Sequence, residues 1–236
     1  MKNLNQWYLH LFLILLSLST VGVYFLFKNQ TYFEFLIWNL FLAWIPYILA
    51  VIAQFIHTSK YMILRKIILI AVGLAWLLFL PNSPYVLTDF IHLTILKDSY
   101  VEKGALSFTY WYDFFVIFLF AWNGLLLGCS SMYIIQKIWK ERFNLFVSWL
   151  IMVLTALLCG YGILLGREYR LNSWDALHAD RILEILRETL HQEAFVFCLL
   201  VGFVIMTVYV TFYILVNSIG SSRHSSPYNT NEKSRR

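Results

Sequence analysis

The sequence predicts an all-α fold, a bundle of six transmembrane helices with two shorter helices in the long connections. Hydrophobic residues make up 60% of the 236 residues and charged residues only 13%, whereas about a quarter of the residues in a soluble domain are charged. Apolar runs recur along the chain, and most approach the roughly 20 residues that cross a bilayer. The six runs are 7–27, 35–56, 67–80, 114–135, 143–165 and 194–216.

The first run and the loop charges predict the topology. Run 7–27 is longer than a signal-peptide core and lacks a small-x-small cleavage site, so we expect it to remain as a span. An even number of spans places both termini on one side. Eleven of the 18 Lys and Arg residues would lie on that side and seven on the other. The positive-inside rule therefore predicts a multi-pass protein of the cell membrane with both termini in the cytoplasm.

We expect residues 1–220 to form a single polytopic membrane domain and residues 221–236 a disordered cytoplasmic tail, because the tail is polar and lacks apolar periodicity. The net charge of +5 comes from the inner loops and indicates membrane lipids as partners. No basic groove with interleaved aromatic residues is visible, so no nucleic-acid partner is expected. A protein partner is left open. The three Cys residues lie inside spans without metal or disulfide spacing.

The third span is short and is followed by two prolines. Its run, 67–80, covers only about 21 Å at 1.5 Å per residue, less than the roughly 30 Å hydrocarbon core. After it, we expect Ser83 to cap and Pro84 to begin a short interfacial or re-entrant helix over 84–96. Helical spacing places Thr88, Asp89 and His92 of that helix on one polar face.

A second long connection follows the fifth span. Asp175 and His178 repeat the carboxylate-x-x-imidazole spacing seen at Asp89 and His92. Asp180 is expected to cap an amphipathic helix on the outer surface before span six, since apolar residues recur at helical spacing from Ile182 onward.

The candidate catalytic residues share titratable side chains near the outer face: Asp89, His92, Asp113 and Asp175. Carboxylates and imidazoles can hold a divalent metal ion that activates water, so all four are candidate metal ligands. The same groups could act as general acid and base without metal. A third interpretation is structural, with Asp89 paired to Arg167 or Arg170 and His92 resting at the interface.

The candidate substrate-binding residues lie in the same two connections. Arg167 and Arg170 follow span five, where an arginine can bind a phosphate or carboxylate in a bidentate manner. Asn82, Tyr85 and Asn172 complete this set. A lipid headgroup or lipid-linked molecule is the anion expected at that depth, although an ion pair within the loop would place the same arginines there.

Other residues inside the spans predict helix packing. Asn39 and Asn123 are expected to hydrogen-bond to other helices, with a lined cavity as the alternative. The spacings Gly124-x-x-x-Gly128 and Gly162-x-x-x-Gly166 indicate close helix contacts.

These motifs resemble a family of bacterial integral-membrane proteins, domain of unknown function 1361 (DUF1361). The resemblance runs from span two to the second long connection and implies a membrane fold without implying an activity. His178 does not belong to its pattern. The matching elements are Pro81-Asn82-Ser83-Pro84-Tyr85 with Thr88-Asp89 and His92, then Trp111-Tyr112-Asp113, then Gly166-Arg167 with Arg170 and Asn172-Ser173-Trp174-Asp175.

Three functions follow as hypotheses. The first is a membrane-embedded hydrolase or transferase that acts on a lipid or lipid-linked envelope substrate at the outer face, because charged groups kept at a membrane edge are costly. The second is a small-solute transporter, favoured by the interrupted element after span three but not by any visible repeat. The third is a noncatalytic envelope scaffold whose charges form a structural network.

Overall fold

Six long helices make up most of the protein, as the sequence predicts. The computed structural model describes residues 2–26, 31, 33–58, 62–102, 105–171, 173, 189 and 192–222. Among these residues, six helices are long and apolar enough to cross a membrane, so the chain is a multi-pass membrane protein. Their bounds are α1 Lys2–Leu26, α2 Phe35–Thr58, α3 Met62–Phe79, α6 Phe108–Arg142, α7 Leu145–Glu168 and α8 Gln192–Ser222.

The connection between α3 and α6 holds short elements. These are α4 Asn82–Tyr85, a 3-10 helix Val86–Phe90, α5 Ile91–Ile95, a second 3-10 helix Lys97–Tyr100, and the strands β1 Val101–Glu102 and β2 Ala105–Leu106. The two strands pair antiparallel, with Val101 opposite Leu106. They form a small hairpin that leads into α6.

Helices α3 and α6 begin several residues before the apolar runs 67–80 and 114–135, because they include polar residues at their ends. Helix α3 begins at Met62 and has 18 residues, about 27 Å at 1.5 Å per residue, because Arg65 and Lys66 are included in it. Helix α6 begins at Phe108 and has 35 residues. The amphipathic helix expected from Asp180 and the tail beyond Ser222 lie outside the described residues.

The prediction for Ser83 and Pro84 is wrong in detail. Pro81, not Ser83, occupies the N-cap position of α4, and the expected helix 84–96 is divided into α4, a 3-10 helix and α5. The Ser83 hydroxyl instead donates to the carbonyl oxygen of Ala43 in α2 at 3.1 Å. A tertiary hydrogen bond has replaced the local cap, so the segment is bound into the bundle.

The bundle centre is formed by α2 and α6, which pack against each other and against the segment that follows α3. Helices α7 and α8 pack as a second pair. Outward-facing apolar side chains such as Leu18, Leu154 and Phe203 are more than half exposed, at 64%, 52% and 72%. Exposed apolar surface on this scale is what a bilayer covers.

Glycines allow the segment after α3 to enter the bundle. A methyl group at Gly124 of α6 would lie 2.5 Å from the Ser83 carbonyl oxygen, and one at Gly162 of α7 would lie 2.6 Å from Pro81 Cγ. Both helices therefore contact the segment at distances that only glycine permits. The close packing predicted from the two Gly-x-x-x-Gly spacings is present, and its partner is the short segment rather than a spanning helix.

Polar side chains inside the spans join helices. Asn123 of α6 is buried and exchanges hydrogen bonds with Ser17 of α1 at 3.1 and 3.2 Å. The indole N–H of Trp44 in α2 donates to the same Ser17 hydroxyl at 3.0 Å. Asn123 therefore forms the hydrogen bond to another helix that the sequence predicts.

Two glycine substitutions test the packing of the segment. We expect Gly124→Ala to lower the free energy of unfolding by about 1–3 kcal/mol, since the added methyl group overpacks a backbone oxygen. Gly73→Ala is the matched control, because no atom lies within 4 Å of the new methyl group and a helical Ala gains about 0.5–1 kcal/mol over Gly. Thermal unfolding in detergent measures both. Equal shifts for the two variants would contradict the close contact.

Candidate functional site

A buried ion pair connects the segment after α3 to the end of α7. Arg167 Nη2 donates to Asp89 Oδ1, and the two residues are 78 positions apart in sequence. The Asp89 side chain is 1% exposed and that of Arg167 is 19% exposed. Arg167 lies in the last turn of α7. The pair therefore holds two distant parts of the chain at one membrane face, which we call the site face.

Neighbours in the same short segment hold the guanidinium of Arg167. Its Nε donates to Thr88 Oγ1 at 2.6 Å, and the Thr88 hydroxyl donates to the Tyr85 carbonyl oxygen at 2.6 Å. Arg167 Cζ lies 4.1 Å from the centre of the Tyr85 ring, a cation–π distance. Tyr85, Thr88 and Asp89 thus fix both the position and the plane of the guanidinium.

The second oxygen of Asp89 is bound by α2. Asn39 Nδ2 donates to Asp89 Oδ2 at 2.9 Å, so each carboxylate oxygen has a strong donor. Asp89 pairs with Arg167, as the structural interpretation predicts, and its catalytic role stays a prediction. Removal of one partner from a buried ion pair typically costs about 3–5 kcal/mol, because the other charge is left buried and unpaired, so each of the two residues requires the other.

His92 lies next to the ion pair but is less enclosed. Its Nε2 is 3.9 Å from Asp89 Oδ1, and its side chain is 29% exposed. The ring packs on Phe35, with centroids 4.9 Å apart, and on Phe33 at 5.8 Å. The polar face predicted for Thr88, Asp89 and His92 is present, since all three belong to one contact network.

A cleft of about 360 Å³ lies beside this network, and we call it the site cleft. Helices α2 and α7 form two of its sides, and the end of α3 with α4 forms a third. Asn39 and Tyr85 belong both to its wall and to the ion-pair network. The residues that line it are Trp38, Asn39, Leu42, Leu78, Pro81, Asn82, Tyr85, Gly162, Leu165, Gly166, Arg170, Leu171 and Ser173.

The site cleft has an apolar part and a polar part. Trp38, Leu42 and Leu78 supply apolar surface, while Arg170 supplies hydrogen-bond donors and Asn82 supplies an amide oxygen. The Asn82 amide is oriented by two bonds, to the Phe79 carbonyl oxygen at 2.9 Å and to Ser173 Oγ at 3.0 Å. A mostly apolar cleft with a few placed polar groups is the usual form of a site for a small amphipathic molecule.

Arg170 has an unusual backbone conformation. Its φ is 52°, in the left-handed region, which costs a non-glycine residue about 1–2 kcal/mol. The Leu171 N–H donates back to the Leu165 carbonyl oxygen at 3.2 Å, so the chain reverses sharply at the end of α7. Arg170 is exposed and lines the site cleft. A left-handed residue directly after the C-cap is a common way for a helix to end, so this conformation terminates α7 and places Arg170 at the site cleft.

Asp113 forms a separate contact. It is fully buried in α6, and the Tyr100 hydroxyl donates to its Oδ2 at 2.8 Å. This bond ties the second 3-10 helix to α6.

Within the described part of the chain, no group of three or more His, Cys, Asp and Glu side chains is arranged to hold a metal ion. Asp89, His92 and Asp113 therefore do not form such a group. Asp175, Asn172 and His178 lie outside the described residues. A metal site that includes Asp175 stays a prediction.

Three contributors to the site are not among the residues that the sequence assigns to it: Asn39, Trp38 and Ser173. For Asn39 the sequence predicts a hydrogen bond to another helix, with a lined cavity as the alternative, and in the structure it both bonds Asp89 and lines the site cleft. Asn39 carried the clearest signal, because an amide inside an apolar span normally faces a polar partner. Its partner, 50 positions away, was not evident without the fold.

Comparison with known proteins gives a family and no function. A family model described as "Protein of unknown function (DUF1361)" matches residues 38–208, more than half of the chain. The matched range includes every residue of the site cleft and of the ion-pair network. Comparisons with curated proteins and with solved structures returned no match.

A double-mutant cycle tests the ion pair. Asp89→Asn and Arg167→Gln should each lower the free energy of unfolding by about 3–5 kcal/mol, because each leaves the other partner buried without its counter-charge. The double variant should lose less than the sum of the two single losses, since neither charge then remains. Chemical unfolding in detergent measures the cycle.

Glu141→Gln is the control for that cycle. Glu141 is 67% exposed and pairs with His57 at 3.0 Å, so its loss should cost less than about 1 kcal/mol. Strict additivity at Asp89 and Arg167 would show that the two charges do not depend on each other.

Proposed function

The chain belongs to the DUF1361 family, and we propose that it binds the phosphate-bearing headgroup of a lipid or lipid-linked molecule in the site cleft. The observation that carries this proposal is the combination, in one cleft of about 360 Å³, of apolar helix surface with oriented amides and an exposed arginine. We place the cleft on the outer face of the cell membrane, following the distribution of basic residues between the loops.

The charges of the two arginines support different roles. Arg167 is neutralised by Asp89, so it contributes to the wall of the site rather than to its net charge. Arg170 forms no ion pair among the residues that the structure describes, and it lines the site cleft. An arginine can offer two parallel N–H donors to a phosphate. We therefore assign the headgroup anion to Arg170.

The amides and the apolar wall support an amphipathic ligand. Asn39 lines the same cleft as Arg170, and its second amide N–H can donate to a headgroup oxygen. Both N–H groups of Asn82 are used by Phe79 and Ser173, so Asn82 offers its Oδ1 as an acceptor. Trp38, Leu42 and Leu78 line the part nearer to the spans, where an alkyl chain would replace bilayer lipid. A free phosphate would use only the polar part, whereas a lipid would use both.

Lipid retention tests the headgroup contact. Wild-type protein is reconstituted in nanodiscs in which phosphatidylglycerol is the single phospholipid, and bound lipid is counted by native mass spectrometry. Arg170→Gln should reduce retained phosphatidylglycerol at least tenfold, because a charge-assisted hydrogen bond contributes about 1.5–3 kcal/mol. Arg142→Gln, an exposed arginine at the opposite end of α6 from the site face, is the control and should retain wild-type levels.

A second pair of variants tests the cleft itself. Leu78→Trp should fill the site cleft and displace lipid, whereas Leu74→Trp, one turn earlier on α3 and 64% exposed, should not. Retention that is unchanged in both Arg170→Gln and Leu78→Trp would contradict the proposal and favour the scaffold hypothesis. If inorganic phosphate alone displaces the retained lipid, the polar part of the site cleft is sufficient to bind the anion.

Catalysis at the same face is a second candidate, favoured by the partly exposed imidazole of His92 beside the ion pair. Its Nε2 lies 3.9 Å from Asp89 Oδ1, beyond hydrogen-bond distance, and a partly exposed imidazole can act as a general acid or base. If the protein hydrolyses or transfers a headgroup, His92→Gln should lower turnover about 100-fold while bound lipid is retained, since general acid–base catalysis contributes about 10²–10⁴-fold. Mass spectrometry of lipids from the same nanodiscs measures turnover, and its absence in wild-type protein excludes this activity on those lipids.

A further inference from the structure

A second hollow adjoins the site cleft and shares one wall with it. This hollow has a volume of about 370 Å³ and is lined by Tyr24, Glu34, Ile37, Trp38 and Phe41. Trp38 also lines the site cleft. Its side chain is 53% exposed and stacks on Phe41, with ring centroids 5.3 Å apart. The Trp38 side chain therefore separates two neighbouring spaces, and we call the second one the aromatic hollow.

The aromatic hollow has the composition of an ammonium site. Three of its five residues are aromatic, and the ring of Trp38, which is exposed, is of the type that attracts cations best. Glu34 adds a carboxylate immediately before α2 begins at Phe35. Glu34 is exposed and, within the described ranges, takes part in no ion pair. A carboxylate beside an aromatic side chain supplies both a charge and an apolar surface for an alkylammonium group.

The two spaces therefore carry opposite charges on either side of one tryptophan. Arg170 supplies the positive charge in the site cleft, and Glu34 supplies the negative charge in the aromatic hollow. A headgroup that carries both a phosphate and an ammonium has the two charges that Arg170 and Glu34 would neutralise.

We propose that the ligand of the site cleft has a zwitterionic headgroup, with its phosphate bound at Arg170 and its ammonium in the aromatic hollow beside Glu34 and Trp38. This inference rests on the proposed function and specifies its ligand class. Glu34 is the source of specificity, because its charge attracts an ammonium and repels a headgroup that is only anionic. Arg170 alone would favour the opposite order, with anionic lipids first.

Competition between two lipids tests the inference. Wild-type protein is reconstituted in nanodiscs that contain equal amounts of phosphatidylethanolamine and phosphatidylglycerol with identical acyl chains. Native mass spectrometry should show at least fivefold more phosphatidylethanolamine retained. Glu34→Gln should abolish or reverse this preference, because the neutral side chain no longer distinguishes the two headgroups. Glu193→Gln is the matched control, since Glu193 is an exposed glutamate at the start of α8 and should leave the preference intact.

The outcomes separate this inference from the function on which it rests. Retention that depends on Arg170 but shows no preference for phosphatidylethanolamine would overturn the zwitterion assignment and leave the phosphate site intact. A preference that persists in Glu34→Gln would also overturn it. Retention that does not depend on Arg170 would remove both proposals. Loss of preference in Trp38→Leu, with phosphatidylglycerol still retained, would add support for the cation–π contact.

Discussion

The ion pair between Asp89 and Arg167 is the interaction on which the site face depends. A carboxylate that is 1% exposed at a membrane edge has little water to solvate it, so its charge must be neutralised by protein. Arg167, at the end of α7, neutralises the charge and donates to Oδ1. Asn39 of α2 donates a hydrogen bond to Oδ2. Three parts of the chain that are distant in sequence are thereby joined around one side chain.

The ion pair depends in turn on close packing. Arg167 can reach Asp89 only if α7 lies against the segment after α3, and Gly162 and Gly166 permit this by leaving space for Pro81 and Tyr85. Pro81 and Pro84 lack backbone N–H groups, so the segment does not continue α3 as a regular helix and can turn into the bundle. The Ser83 bond to Ala43 then fixes it against α2. The family match covers all of these residues.

Much of this arrangement was predictable from sequence because hydrophobicity and charge act locally. Six spans follow from apolar runs, and the confirmed family resemblance rests on the residues from Pro81 to Asp175. Asp89, His92 and Arg167 were chosen because charged groups at a membrane edge need partners, and the structure does bring them into contact. The sequence could not show that Ser83 bonds Ala43 rather than capping a helix, because local capping and tertiary bonding use the same hydroxyl. It could not identify Asn39 as the partner of Asp89, because the two residues are 50 positions apart and only the fold brings them together.

One face of α2 connects the ion pair to ligand recognition. Glu34, Trp38 and Leu42 follow at intervals of four residues, and Asn39 lies beside Trp38, so these side chains project from neighbouring turns of one helix. Glu34 belongs to the aromatic hollow, Leu42 to the site cleft and Trp38 to both. Asn39 lines the cleft and also donates to Asp89. Because Asn39 donates to Asp89, the ion pair is linked directly to α2 at the point where the two spaces meet. A loss of the pair would therefore disturb headgroup recognition even though neither Asp89 nor Arg167 is assigned a direct contact with the ligand.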